Sequence, residues 1–293
     1  METTTELSHK EFLKIDKDYT KAARAADLLY VNDKEEGISR VKKGDVFSYL
    51  YKGQTVKDKT LLLRIKKLAI PPAWTSVWIC AKDSGHIQAT GFDVKGRKQY
   101  RYHPQWQTLR NETKFHRLYE FGKLMPSIRT KVEEDLARKD LSVEKVLATV
   151  VSLMERTYIR IGNDDYEKLY GSYGLTTLKD GHVKVKGNTV KFSFKGKKGI
   201  YHNVTLQNPK LARMVQRCKD IPGKELFQYY DSEGQRHPID SGMVNRYIKE
   251  ASGGDFTAKD FRTWAGTLNI MRAFCSLDRP GCEADYKKIS SPL

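Results

Sequence analysis

Hydrophobic and polar positions divide this chain into a β-rich first part and a mainly helical second part. The run 46–51 has β-type residues, and further strand candidates lie at 76–81, 86–93 and 97–103. A Lys-Gly pair supplies the turn between the last two of these strands. Asp58 is placed to cap a short helix with apolar residues at helical spacing. The first part therefore predicts a compact domain built mainly from strands.

From about residue 107 onward the apolar residues follow a helical period. Ser142 is placed to cap a helix whose apolar positions recur at i, i+3, i+4 and i+7. Strands at 182–186, 189–195 and 200–206 interrupt the helices, with glycine-containing turns between them. Helices resume at 209–219 and 241–249. We predict that Val190, Phe192 and Phe194 share one face of the middle strand.

The last predicted helix begins at Thr257, which forms a capping-box pattern with Asp260. It runs to about Phe274, and we expect it to bury Phe261, Trp264, Ala265, Leu268 and Met271. The pattern predicts an α+β fold, with a small N-terminal β-rich domain and a mainly α-helical domain that carries a three-stranded β insert. We expect a flexible segment at 1–35, the β-rich domain at 36–107 and the second domain at 108–293.

The net charge of the chain indicates which classes of molecule it can bind. The chain of 293 residues carries 53 Lys and Arg against 36 Asp and Glu, a net charge of +17. Such an excess can be a solvated surface, but it also favours a polyanion such as nucleic acid. We find no apolar run that could span a bilayer and no signal peptide, so we expect a soluble intracellular protein. The four cysteines lack paired spacing, which favours reduced thiols over a zinc site.

The strand at 97–103 combines aromatic and basic residues. Alternation puts Tyr100 and Tyr102 on one face and Gln99 and Arg101 on the other. Two tyrosines on one strand face are often half-buried core. Basic neighbours favour an exposed face that contacts DNA, where Gln can read adenine edges and Tyr can bond phosphate. The candidate DNA-binding residues are Arg97, Lys98, Gln99, Tyr100, Arg101 and Tyr102.

Three cations in the second part are candidates for phosphate chemistry. Arg160 precedes Gly-Asn at a helix junction, and Arg262 lies in the first turn of the last helix. Lys197 belongs to a lysine-rich hairpin tip. Two arginines can clamp a phosphate, and a lysine can donate a proton to a leaving alkoxide. The alternatives are an ion pair of Arg160 with Asp164 or Asp165 and a merely solvated hairpin tip.

In this order, these segments resemble the type IB DNA topoisomerases, in particular their short bacterial and poxvirus-like branch. The resemblance covers about residues 35–285. It rests on motifs that run through both parts of the chain: Pro71-Pro72-Ala73-Trp74, Gly85 to Gly91, Gly96 to Tyr102, Arg160-Ile161-Gly162-Asn163, Ser172 to Leu178, Phe194 to Lys197 with His202, and Lys259 to Thr263.

The resemblance implies a clamp of both domains around duplex DNA. In this family a tyrosine attacks a backbone phosphodiester, a 3′-phosphotyrosyl link forms, and the 5′-hydroxyl strand swivels and religates without ATP or a metal cofactor. Arg160 and Arg262 match the arginines that stabilise the transition state, and Lys197 matches the general acid, chosen over Lys195 and Lys198. The resemblance also implies a monomer that acts on double-stranded DNA in the cytoplasm of a bacterial-type cell, associated with the nucleoid.

The sequence departs from the family after Arg262. No histidine follows His237, and the sole tyrosine after Arg262, Tyr286, lacks the setting of the family's nucleophile. We therefore expect a C-terminally incomplete chain that lacks the catalytic histidine and the nucleophile and is inactive as given. One alternative is a DNA-binding remnant without catalysis. The other is a tyrosine recombinase, which Lys259-Asp260-Phe261-Arg262 disfavours because recombinases usually have His-x-x-Arg there.

Overall fold

A computed structural model describes residues 7–44 and 46–275 of this chain. It divides into two compact units, with the boundary between Tyr119 and Glu120. That boundary falls inside helix α4, Pro104–Ala137. The two units are described separately below. Nowhere in the described residues does a helix combine the length and apolarity needed to cross a membrane.

The first unit is organised around a six-stranded antiparallel sheet with the order β3-β2-β1-β4-β5-β6. Helix α3, Lys59–Lys67, begins at its predicted cap, where the Asp58 carboxylate accepts a bond from Leu61 N. Its Ile65 packs with Ile38 and Ile79 of the sheet in one core. The strands are β1 Ile38–Lys43, β2 Val46–Tyr51, β3 Gln54–Thr55, β4 Thr75–Ile79, β5 Ile87–Phe92 and β6 Lys98–Tyr102.

The N-terminal segment of this unit contains two packed helices, α1 at His9–Ile15 and α2 at Tyr19–Ala25. Phe12 and Ile15 are buried in a cluster that includes Trp106. From residue 7 onward, the described part of this segment is therefore packed, whereas we expected a flexible segment at 1–35. The apolar partner of this short segment lies in α4, far along the chain. Local sequence patterns therefore cannot predict that the segment is packed.

Helix α5, Val143–Thr157, is the central element of the second unit. Its Val146, Val150 and Leu153 are fully buried, as expected for a helix covered by neighbours on most sides. Ser142 occupies the predicted N-cap position, although its side chain makes no capping bond. The other helices of this unit are α6 Asp164–Tyr170, α7 Pro209–Lys219, α8 Ser241–Ser252 and α9 Ala258–Cys275.

The predicted β insert is confirmed as a three-stranded antiparallel sheet, β7 Val183–Lys186, β8 Thr189–Lys195 and β9 Tyr201–Gln207. Val190, Phe192 and Phe194 are buried on one face of β8, as alternation requires. A short two-stranded sheet, β10 Gln228–Tyr230 with β11 Arg236–Pro238, was not predicted.

Helix α9 begins as predicted. The Asp260 carboxylate accepts bonds from the Thr257 amide, at 2.8 Å, and from the Thr257 hydroxyl, at 3.0 Å. Phe261 is buried, but the prediction that Met271 is buried was wrong, because its side chain is 56% exposed. Helical spacing identifies the apolar face of a helix, whereas its covered length depends on which neighbours reach it.

Candidate active site

A pocket of about 240 Å³ in the second unit brings together all three cations that the sequence singled out for phosphate chemistry. Arg160 comes from the loop after α5, Lys197 from the turn between β8 and β9, and Arg262 from the start of α9, just after its first turn. The lining in the described structure includes no Asp or Glu. The residues that line the pocket are Thr157, Tyr158, Ile159, Arg160, Tyr173, Phe194, Gly196, Lys197, His202 and Arg262.

Backbone pairing holds the Arg160 loop in place. Arg160 O accepts a hydrogen bond from Leu175 N at 2.8 Å, and the next carbonyl accepts one from Thr176 N at 2.7 Å. Glycines are required at the crossing, since a Cβ on Gly174 would lie 2.4 Å from Gly162 N. Gly162 also has φ of +102°, a region that side chains disfavour. The Gly-containing motifs therefore fix the course of the chain on both sides of the arginine.

Arg160 is not neutralised by the acidic start of the next helix. Among the described residues it forms no ion pair with Asp164 or Asp165, which instead lie in the first turn of α6. Asn163 is the N-cap of that helix, as predicted, and its side chain accepts a bond from Tyr166 N at 3.2 Å. The structure thus disfavours the alternative in which Arg160 serves only to form an ion pair with Asp164 or Asp165.

The hairpin tip that carries Lys197 is anchored at its base. Tyr173 N donates to Lys195 O at 2.8 Å, and Gly196 N donates to Ile200 O at 2.7 Å. A Cβ on Gly196 would lie 2.5 Å from His202 Cδ2, so only glycine leaves room for the imidazole. Lys197 is exposed and lies immediately after this contact.

Arg262 is bound to the end of α5. Its guanidinium donates a hydrogen bond to Tyr158 O, the carbonyl of the residue that ends α5 in a left-handed conformation with φ of 57°. Burial, and then the positive charge of Arg160, lower the pKa of Arg262. The two guanidinium groups are therefore close enough to repel each other, and an anion in the pocket would relieve that repulsion.

His202 also lines the pocket, although the sequence indicated it only as part of the hairpin motif and not as a site residue. Its ring stacks on Phe194, with ring centroids 5.3 Å apart. Burial, followed by the charges of Arg160 and Arg262, lowers the pKa of His202, so the neutral imidazole is favoured. The available sequence signal was register: a hairpin that places Lys197 at its tip pairs Phe194 with His202.

The candidate DNA-binding residues lie on and beside the edge strand β6. Tyr100 and Tyr102 are 43% and 37% exposed and stack with centroids 5.8 Å apart, so neither is fully buried and both rings present part of their surface to solvent. Lys98 forms an ion pair with Asp33 at 2.5 Å, and Arg97 with Asp93 at 2.7 Å.

Other β6 side chains are also held by protein groups. Arg101 donates to Ala69 O at 2.8 Å, and Gln99 donates to the Asp93 carboxylate at 3.0 Å. Tyr286, the sole tyrosine after Arg262, lies outside the described residues.

Comparisons with known proteins match both units. Residues 97–290 match the family described as eukaryotic DNA topoisomerase I, catalytic core, and residues 46–93 match the bacterial DNA topoisomerase IB N-terminal domain. A DNA topoisomerase 1B of Acanthamoeba polyphaga mimivirus is 35% identical over 88% of this chain and 78% of its own length. The Vaccinia virus (strain Copenhagen) DNA topoisomerase 1B is 26% identical over 63% of this chain and 56% of its own.

Two other similarities are weaker. DNA topoisomerase 1 alpha of Arabidopsis thaliana is 25% identical over 55% of this chain, but over 17% of its own length. A solved XerH site-specific recombinase bound to its difH substrate is 15% identical over 50% of this chain and 42% of its own, with a TM-score of 0.33, too low to support an argument. The matches across both units show that this chain belongs to the type IB DNA topoisomerases, a family of isomerases.

Proposed function

We propose that this chain binds double-stranded DNA and that its second unit holds a backbone phosphodiester between Arg160, Lys197 and Arg262. The observation that carries the proposal is the convergence of three cations, from three separate segments, on one pocket whose described lining has no carboxylate. The exposed tyrosines of β6 supply a second contact with DNA. The expected clamp of the two units around the duplex belongs to the same proposal.

The proposed chemistry is the family's relaxation of supercoiled DNA through a 3′-phosphotyrosyl intermediate. A tyrosine oxygen forms a bond to phosphorus while the bond from phosphorus to the 5′-oxygen breaks. Arg160 and Arg262 stabilise the negative charge that develops on the other phosphate oxygens. Lys197 transfers a proton to the departing 5′-oxygen. Religation reverses these steps, and no ATP is needed because the phosphotyrosyl bond retains the energy of the broken one.

The attacking tyrosine is the part of this scheme that the sequence does not supply. Tyr286 is the one tyrosine after Arg262, and it lacks the family's motif. We therefore propose that the 293-residue polypeptide binds DNA but does not relax it. The alternative named from the sequence, a DNA-binding remnant without catalysis, is thus the function we propose for these 293 residues taken by themselves. The monomeric state and the nucleoid-associated, cytoplasmic location expected from the sequence remain part of the proposal.

Salt dependence of DNA binding tests the proposal. With about six phosphate contacts, affinity for a labelled duplex should fall roughly 10³-fold between 50 and 200 mM salt. The double variant Arg160→Ala/Arg262→Ala should lower the slope of log K against log salt by about two, one for each lost phosphate contact. A shallow dependence for the unmodified chain would contradict DNA binding through phosphates. An unchanged slope in the double variant would show that the pocket arginines do not contact DNA phosphates.

A further inference from the structure

The Asp93 carboxylate collects five hydrogen-bond donors at the turn that leads into β6. Its Oδ1 accepts backbone bonds from Lys95 N at 2.9 Å and Arg97 N at 3.0 Å. Its Oδ2 accepts side-chain bonds from Arg97 Nε at 2.9 Å, Arg97 Nη2 at 2.7 Å and Gln99 Nε2 at 3.0 Å. One oxygen thus forms the turn, and the other holds two of the side chains that we propose contact DNA.

This arrangement determines how the Gln99 amide is turned. An ionised carboxylate only accepts hydrogen bonds, so the Gln99 nitrogen must face Asp93 and its oxygen must face away. One N–H of the amide is used by Asp93. The oxygen and the second N–H form the edge with which Gln recognises adenine in a bidentate manner.

The same carboxylate also restrains Arg97. Two of its guanidinium nitrogens bond Oδ2, and the geometry is that of a charge-assisted pair. Ordering long side chains before binding reduces the conformational entropy lost when DNA is bound.

We propose that Asp93 is a positioning residue for DNA binding, which holds Arg97 and Gln99 in the orientation that the duplex requires. This inference rests on the proposed DNA-binding function of β6. It assigns an acidic residue a favourable effect on the binding of a polyanion. Simple electrostatics assigns the opposite effect, since removal of one negative charge raises the attraction of this basic chain for DNA. If Asp93 positions Arg97 and Gln99, removal of its charge should lower the affinity for DNA. If simple electrostatics dominates, removal of its charge should raise that affinity.

The test is the substitution Asp93→Asn, measured by fluorescence anisotropy with a labelled duplex. Asparagine keeps an oxygen for the two turn bonds, but it presents an NH2 group to the donors of Arg97 and Gln99. We expect affinity to fall about fivefold, the loss of roughly one net hydrogen bond, although one negative charge has been removed. Asp83→Asn is the matched control, because Asp83 is exposed and, among the described residues, Arg97 and Gln99 bond the carboxylate of Asp93 and not that of Asp83. We expect this variant to bind at least as tightly as the unmodified chain.

A double-mutant cycle separates positioning from a general structural effect. In the background Arg97→Ala/Gln99→Ala, the Asp93→Asn change should no longer weaken binding, because its targets are gone. If thermal melting shows that Asp93→Asn does not fold, Asp93→Ser takes its place, since the hydroxyl still accepts a turn bond. Affinity that rises or stays unchanged in the folded Asp93 variant would overturn the inference, as would an equal loss in the double-variant background.

Failure of this inference and failure of the proposed function give different results. If Tyr100→Ala/Tyr102→Ala weakens binding and the Asp93 variant does not, β6 still contacts DNA and only the role of Asp93 is rejected. If neither change alters affinity, β6 is not the DNA-binding strand, and both proposals for this surface are rejected.

Discussion

His202 shares its pocket with two guanidinium groups, and its ionisation reports on what the pocket binds. Burial and the two arginine charges lower the pKa of His202 below its ordinary value. Folding therefore favours the neutral ring. The stability that this provides is present above the ordinary histidine pKa of about 6.5 and is lost as the pH falls through the lower folded pKa.

We expect the pKa of His202 to rise when inorganic phosphate or a short duplex occupies the pocket, because the anion offsets the two arginine charges. NMR titration of the imidazole resonances measures this shift. The variant Arg160→Ala is the matched comparison, since it removes one positive charge and should raise the pKa of His202 without any ligand. A pKa that does not respond to phosphate would show that the anion binds elsewhere.

Among elements, the β8–β9 hairpin sets the position of Lys197 through the contact between Gly196 and His202. Gly196 has φ of −100°, which any residue can adopt, so the constraint is purely one of space. We expect Gly196→Ala to destabilise the protein by about 1–3 kcal/mol, the usual effect of overpacking, and to weaken DNA binding by displacing the tip.

Thermal melting and anisotropy together test this expectation for the hairpin. Gly181→Ala is the control, because a Cβ at Gly181 meets no atom within 4 Å. Equal behaviour of the two alanine variants would show that His202 moves aside without cost.

The tyrosines of β6 provide a separate prediction at this scale. Tyr100→Ala/Tyr102→Ala should weaken DNA binding while the melting temperature changes little, since both side chains are substantially exposed. The double phenylalanine variant keeps the stacked rings and loses only the hydroxyl groups, so it separates stacking from hydrogen bonding to phosphate. Strong thermal destabilisation with unchanged affinity for DNA would instead show that the two tyrosines stabilise the fold and do not contact DNA.

Sequence patterns predicted helices and strands correctly where these depend on residues that are close together in the chain. The alternation of Val190 and Phe192 and the capping pattern of Thr257 with Asp260 both predicted what the structure contains. The packing of Phe12 with Trp106 could not be predicted, because these residues are distant in sequence. His202 belongs to the same class, since its place in the pocket depends on Arg160 and Arg262 from other segments. Motif resemblance supplied the three cations and included His202, but the contacts in three dimensions were needed to place this histidine beside the two arginines.

For the whole molecule, the central prediction is DNA binding without relaxation. Arg160, Lys197 and Arg262 can stabilise and protonate, but none of them supplies the attacking oxygen that a covalent intermediate requires. The 293-residue polypeptide should therefore leave supercoiled plasmid unchanged on agarose gels and form no covalent complex with DNA when denatured. An active type IB topoisomerase serves as the positive control.

An extended protein provides the complementary experiment. Addition of a C-terminal segment with the family's histidine and tyrosine should confer relaxation without ATP, and Arg262→Ala in that extended protein should abolish it. Relaxation by the 293-residue chain that disappears in Tyr286→Phe would contradict the absence of a nucleophile.

The pairing of Lys98 with Asp33 also bears on how binding responds to salt. Asp33 additionally accepts a bond from the Thr90 hydroxyl at 2.8 Å, so its carboxylate stays in place if the lysine leaves. When Lys98 transfers to a DNA phosphate, cations condensed on the duplex are released, whereas the single carboxylate that Lys98 leaves behind does not condense cations as the duplex does. The transfer therefore keeps its salt dependence, but the free energy gained is reduced by the lost ion pair with Asp33. Lys98 should accordingly contribute more to the ionic-strength dependence of binding than to the affinity itself.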